Sequence, residues 1–174
     1  EALRSFPCVE DWFPLTSSKV TELNINPEKG AGQIRSISRL YFFDQYQAIK
    51  NAIKLALSNL RNNVDNADRH KQLGRTLEPG ALRVVVVGST AGGTGSGAVI
   101  DMGYLSKVLL KSSGATAVST QLVLMLPTGY AGSNVDRTQA NTYGALMELE
   151  TCMRGGASHI GKWSESDVDF VMPL

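Results

Sequence analysis

The sequence predicts an α/β fold, a Rossmann-like parallel sheet flanked by helices. Three observations carry that prediction. Residues Leu82 to Val87 form a nearly continuous β-branched apolar run, the pattern of a strand covered on both faces in a parallel sheet. This run feeds directly into a glycine-rich stretch, Ala91-Gly92-Gly93-Thr94-Gly95-Ser96-Gly97, after which Val99, Met102, Leu105 and Leu109 share one helical face. A second apolar strand, Ala117 to Leu126, comes next, and two parallel strands joined by a helix make a βαβ unit.

The elements follow in chain order. Residues 1–29 hold Trp12, Phe13, Pro7 and Pro14 with little periodicity and read as an irregular lead-in with one short strand at Val20 to Leu23. From Arg35 to Val64 the apolar residues Ile37, Leu40, Tyr41, Ile49, Ile53, Ala56, Leu57 and Leu60 recur at three-to-four spacing, which predicts one long amphipathic helix started after Gly30-Ala31-Gly32. Residues 65–80 are polar, with Pro79 and Gly80 at their end, and predict a surface connection. After the first strand and the glycine-rich loop, a helix begins beyond Gly97 and Gly114 is placed to stop it. Pro127 closes the second strand, and Gly129, Gly132, Ser133 and Asn134 build a loop. Thr138 to Met153 reads as a helix, and Asp169 to Met172 as a last strand. The chain opens without methionine and ends just after that strand, which predicts a piece of something longer: a lead-in, 1–29, and part of a nucleotide-binding domain, 30–174.

Composition excludes several functions. With 17 Lys+Arg against 16 Asp+Glu the formal net charge is +1, so no general field draws nucleic acid or a membrane surface, and any anion site must be local. No apolar run approaches the ~20 residues of a membrane-spanning helix, so no membrane insertion is expected. The two cysteines, Cys8 and Cys152, form no CxxC or Cys/His cluster and read as ordinary thiols; a reducing, cytoplasmic setting fits them. His70 and His159 lack metal-ligand spacing and read as surface or packing residues, and no metal site is predicted.

The glycine-rich loop carries the chemistry. Gly92 to Gly97 are small enough to let backbone N–H groups face outward between strand and helix, where the helix dipole presents partial positive charge; that geometry suits a polyphosphate. Thr94 and Ser96 add hydroxyl donors for phosphate oxygens or a metal-bound water. A Walker loop needs Gly-Lys-Ser/Thr at its end, but Gly97 is followed by Ala98 and Val99. A dinucleotide fingerprint starting at Gly95-Ser96-Gly97 finds Ile100 where its third glycine belongs, and no acidic residue ends the next strand. A tight turn with no ligand rarely needs so many glycines together.

The loop Ala91 to Gly97 resembles the signature loop shared by tubulins and FtsZ in length, glycine positions and its Thr and Ser. Upstream, Asn26-Pro27-Glu28-Lys29-Gly30-Ala31-Gly32-Gln33, followed by Arg35 and Arg39, is similar to the γ-phosphate-sensing loop and interface helix of that superfamily. Downstream, Asn141-Thr142-Tyr143-Gly144-Ala145-Leu146-Met147-Glu148-Leu149 resembles the helix after its ribose-contacting loop, most closely in the divergent prokaryotic tubulin-like proteins. The resemblance runs from about residue 26 to 172 in the right order.

What the resemblance implies is specific. Ala91, Gly92, Gly93, Thr94, Gly95, Ser96 and Gly97 wrap the α- and β-phosphates of GTP or GDP, with Mg2+, while Gly30, Ala31, Gly32 and Gln33 approach the γ-phosphate; by themselves, Gly30 to Gly32 equally fit a flexible start to a helix. Arg35 and Arg39, one turn apart, aim at the γ-phosphate or a neighbouring subunit, or form a solvated face. Asn134, Asp136 and Arg137 are ribose candidates, although their loop departs from the tubulin and FtsZ spelling. Asp101 either approaches magnesium through water or is a charge near a helix N-terminus. Tyr41, Phe42, Phe43 and Tyr46 read as packing residues. The resemblance further implies a GTP-binding, filament-forming cytoskeletal protein whose partner is itself, head to tail, or a tubulin-like protein, with hydrolysis at the subunit interface. The first strand, the base-reading helix and the acidic catalytic loop are expected outside Glu1 to Leu174, so these residues alone should not hydrolyse GTP and do not separate guanine from adenine. A non-catalytic nucleotide-binding scaffold and a dinucleotide-using oxidoreductase are the competing readings. Gly95→Val and Thr94→Ala are expected to weaken nucleotide binding while the fold stays cooperative.

Overall fold

A computed structural model of the protein describes residues 9–23, 30–62, 71–74, 80–129 and 134–154. The expected last strand at Asp169 to Met172, the segment Asn26 to Lys29, most of the 65–80 connection, Gly132, Ser133, Cys8, His70 and His159 lie outside the described residues.

Helices α1 (Val9–Trp12) and α2 (Ser17–Glu22) come first among the described residues. The strand expected at Val20 to Leu23 is therefore helical: the Thr16 hydroxyl accepts from the Lys19 amide at 3.4 Å, a capping interaction that outweighs the weak β signal of one valine. Two helices replace the single long one, α3 (Arg35–Asp44) and α4 (Tyr46–Asn62), with Gln45 between them in a non-helical conformation at φ −97° and ψ 12°. The backbone bonds almost bridge the break, with Gln45 N–H donating to Tyr41 O and Ile49 N–H to Gln45 O, both at 3.0 Å. Phe42, Phe43 and Tyr46 are all buried and keep the spacing of one helical stripe across the break, so the apolar pattern does not register it. Beyond Leu57 the predicted apolar face reaches solvent, with Leu60 exposed.

Strands β1 (Ala81–Ser89) and β2 (Ala117–Met125) pair in parallel, Ala81 opposite Ala117 and Ser89 opposite Met125. Between them runs α5 (Gly93–Ser112), ended at Gly114, whose φ of +72° suits a residue without Cβ. After β2, Pro127–Gly129 make a 3-10 turn, and α6 (Val135–Met153) closes the described part. The βαβ unit is as the sequence predicts. Its sheet is covered on one face only among the described residues: Leu82, Val84, Val86, Val118, Leu122 and Leu124 pack on the core, while Val85, Val87, Val123 and Met125 are about half exposed. The continuous apolar run is thus an alternation of core-facing and outward-facing apolar residues rather than a strand enclosed by what is described here.

The core lies where α3 and the sheet meet α5. Leu105 and Leu110 are fully buried, Val99 and Leu109 nearly so, and Phe42, Phe43 and Tyr46 fill the space on the α3 side, with Phe42 edge-on to both. Within this apolar setting sits one ion pair. Arg39 Nε and Nη2 donate to Asp101 Oδ2 and Oδ1 at 2.8 and 3.0 Å, the two side chains being 13% and 2% exposed, and Trp12 lies 4.6 Å below the guanidinium. Burial works against the charge on Arg39, but the Asp101 carboxylate outweighs it and raises the guanidinium's affinity for its proton. Asp101 is consequently committed to Arg39 and offers no carboxylate to magnesium. No helix among the described residues is long and apolar enough to cross a membrane.

Removing one member of a buried pair leaves the other uncompensated. Asp101→Ala is expected to destabilise the fold by about 3–5 kcal/mol, read from the urea midpoint of the intact protein; a loss within experimental error would mean that Arg39 finds solvent or another partner.

Candidate functional site

The site forms where β1 runs into α5. Beyond Ser89 the chain is pinned: the fully buried Thr90 sends its amide and its hydroxyl to Met125 O at 3.0 and 3.1 Å, and its hydroxyl shares a 3.0 Å hydrogen bond with that of Thr142 on α6. Ala91 is buried and its amide donates to the Ser89 hydroxyl at 3.1 Å. Gly92 is the N-cap of α5 in extended conformation, and no side chain caps the helix there. The helix therefore starts within the glycine-rich stretch, before the apolar spacing that begins at Val99, because a run of glycines carries no hydrophobic face to reveal its first turn.

That early start has an electrostatic consequence. The amides of Gly92, Gly93, Thr94 and Gly95 occupy the first four donor positions of a 20-residue helix, where no preceding carbonyl can receive them. Elsewhere such groups are satisfied by side chains, Thr16 for α2 and Asn134 for α6. Helix α3 also begins without a side-chain cap, at Ile34. Two uncapped helix N-termini thus lie close together, a charge distribution that favours an anion.

The two approach because glycines remove what would separate them. A Cβ on Gly93 would stand 2.7 Å from the Ile34 nitrogen and 2.9 Å from the Gln33 carbonyl carbon; one on Gly97 would collide with the Arg35 carbonyl oxygen and stand 2.9 Å from Ser38 Cβ. Gly95 lies equally close to the backbone of Ser89, its would-be Cβ 2.7 Å from the Ser89 nitrogen. Gly95→Val is therefore not the clean binding probe the sequence implied, since it strikes strand backbone and damages the fold. Gly92 differs, with nothing within 4 Å of its would-be Cβ.

The opposing turn is shaped by left-handed residues, Gly30 at φ +86°, Gly32 at +57° and Gln33 at +60°, with Ile34 N–H donating to Ala31 O at 2.9 Å. A non-glycine residue in that region carries strain, and here its carbonyl is held. Buried Asn141 on α6 donates from Nδ2 to both Gln33 O and Ala91 O, each at 3.0 Å, tying the two turns to one side chain. A Cβ on Gly30 would lie 3.7 Å from Thr94 Oγ1, so the 30–33 turn faces the glycine-rich loop.

Residue by residue, the sequence reading is partly redistributed. Thr94 is exposed at the helix start, but Ser96 is buried and its hydroxyl turns inward to Gly92 O, which removes it as a donor to a ligand. Arg35 and Arg39 are both engaged by protein partners: Arg39 is paired with Asp101, and Arg35 donates to Ser96 O and to Glu148. Ser38 adds a 2.9 Å bond to Thr94 O. Asn134, expected at the ribose, spends its side-chain oxygen on the Arg137 amide at 3.1 Å as the N-cap of α6. Asp136 and Arg137 are exposed on the first turn of that helix. Arg137 lines a cleft of about 410 Å³ with Gln33, Arg35, Gly97, Asn141 and Glu148; the amides of Gly92 to Gly95 lie outside it, so the cleft is beside the anion-binding geometry rather than at it. Cys152 is buried, and burial pushes its thiol up in pKa, consistent with an ordinary thiol. Among the described residues no group of three or more His, Cys, Asp and Glu could hold a metal ion.

Asn141 and Thr90 are the site residues that residue chemistry did not single out. A buried asparagine inside an amphipathic helix was the available signal, since such an amide must find partners. Asn141→Ala removes the donor from two carbonyls and should lower stability by about 1–3 kcal/mol, measured by urea unfolding; no change would mean that both carbonyls have other donors. Gly97→Ala should destabilise by at least about 1–3 kcal/mol, whereas Gly92→Ala should leave the unfolding midpoint nearly unchanged, and equal effects would contradict the close approach described.

The family model described as tubulin-like matches residues 1–172. Comparison with curated proteins and with solved structures gave no significant match.

Proposed function

The chain belongs to the tubulin-like family, and from that premise we propose that it binds GTP or GDP through the glycine-rich loop. The observation that supports this most is the convergence of two uncapped helix N-termini, one led by Gly92 to Gly95 and the other by the Gly30 to Gln33 turn, held together by Asn141. Four amides with no protein acceptor, at the positive end of a long helix dipole, match the oxygens of a di- or triphosphate. Thr94 contributes an exposed hydroxyl at the same end. In this reading the 30–33 turn faces the γ-phosphate, so the terminal phosphate contacts the side of the site that its loss would release.

Magnesium fits this arrangement only in a limited way. Phosphate oxygens and water would carry most of its coordination, since Asp101 is paired and Thr94 alone offers an exposed side-chain oxygen at the helix start. Its chemistry, when bound, is to neutralise charge on the phosphates. The chain's own part is to orient them: the amides fix the polyphosphate, and the buried clamps on Thr90, Ala91 and Gln33 keep the amides in place before the ligand arrives. Hydrolysis belongs to an assembled state in this proposal. Head-to-tail contact of copies, or with a tubulin-like partner, adds the acidic residues that orient water, and contacts of that heterologous kind propagate into filaments. A cytoplasmic location accords with a guanine nucleotide ligand.

The proposal is tested on the intact protein by extracting bound nucleotide, measuring GTP affinity and sedimenting it with and without GTP. Gly92→Leu, which has open space around it, should fold normally and lower affinity by at least tenfold, about 1.4 kcal/mol; Thr94→Ala should lower it less. Wild-type affinity in Gly92→Leu would move the phosphates elsewhere, and absence of nucleotide binding in the unaltered protein would remove the reading.

A further inference from the structure

Arg35 is unusual among the cations near the loop because it touches three elements at once. It stands on the first turn of α3, its Nε and Nη2 donate to Ser96 O within the first turn of α5 at 3.3 and 3.2 Å, and Nη2 also donates to Glu148 Oε2 on α6 at 2.6 Å. The space it occupies is kept open: a Cβ on Gly144 of α6 would lie 2.5 Å from Nη1. With Ser38 holding Thr94 O on the same face, side chains of α3 grip two carbonyls of the turn whose amides form the anion site.

The Glu148 pairing does little for stability. The Glu148 side chain is 49% exposed, and an ion pair of that exposure is largely screened. Its effect on a nearby anion is different in kind. The guanidinium adds positive charge behind the uncapped amides, in the sense of the helix dipole, and the carboxylate subtracts from it. Resting on the reading that residues 91–97 hold phosphates, we propose that Arg35 is a positioning residue for that site, and that Glu148 attenuates its field and so places nucleotide affinity partly under the control of α6.

Charge and structure make opposite predictions here. Arg35→Ala and Glu148→Gln both break the same ion pair, so a purely structural role moves binding in the same direction for both. In the proposed role they diverge: on the intact protein, Arg35→Ala weakens GTP affinity at least about fivefold and Arg35→Lys restores part of it, while Glu148→Gln tightens it about two- to threefold. Both differences shrink as salt is raised from low to high ionic strength. The half-exposed Glu148 makes its variant safe for folding, so the comparison survives even where Arg35→Ala is unstable. Weaker binding in Glu148→Gln, or unchanged binding in both variants, overturns the role of Arg35 while leaving the phosphate site standing. Failure of the unaltered protein to bind GTP overturns the site itself, and this inference with it.

Discussion

Everything at the site depends on backbone lying against backbone. Gly93, Gly95 and Gly97 alternate along the first turn of α5, and their missing side chains let that turn rest on the Gln33–Ile34 peptide, the end of β1 and the start of α3 in succession. Any Cβ at these positions would have to displace main-chain atoms, which are the least able to move. The glycines are therefore needed first to assemble the site, and of the four from Ala91 to Gly97 only Gly92 has open space where a Cβ would stand.

Once the turns are in contact, polar side chains fix them without capping them. Asn141, Thr90 and Ser38 satisfy carbonyls around the loop, Thr142 supports the Thr90 hydroxyl, and Arg35 takes the Ser96 carbonyl, while no side chain caps the start of α5. The division is chemical: these carbonyls are bound from within the protein, and the donors at the helix start have no side-chain cap. The Arg39–Asp101 pair, with Arg39 over the Trp12 ring, anchors α3 to α5 one turn further in, where a misplaced helix would carry the 30–33 turn with it. A buried pair of this kind is costly to break by removing one partner, although its presence is not by itself a gain in stability.

The sequence disclosed the parts of this design that leave a one-dimensional trace. The β-branched run at Leu82 to Val87 and the apolar strand after Gly114 located the parallel βαβ unit, and the spelling of Ala91 to Gly97 located the loop. Two kinds of feature left no such trace. The start of α5 was hidden because glycines have no hydrophobic face, and the break at Gln45 was hidden because the apolar spacing, Phe42, Phe43 and Tyr46 included, runs through it uninterrupted. Side-chain destinations were also illegible. Arg35, Arg39 and Ser96 are sensible phosphate ligands by residue type, but Arg35 and Arg39 are engaged by Glu148 and Asp101, more than sixty residues away, and Ser96 turns back on Gly92 O within its own helix turn. Asn134 carried a readable N-cap signal that its place in a presumed ribose loop obscured.

The central claim is that the amides opening α5 face a phosphate chain. It is tested most directly by following the backbone amide resonances of glycine-labelled intact protein during titration with GTP. The account predicts large, saturable shifts at Gly92, Gly93 and Gly95, with Gly103 and Gly114, further along the same helix and past its end, nearly still. Saturation by GTP with those three resonances unmoved would contradict it.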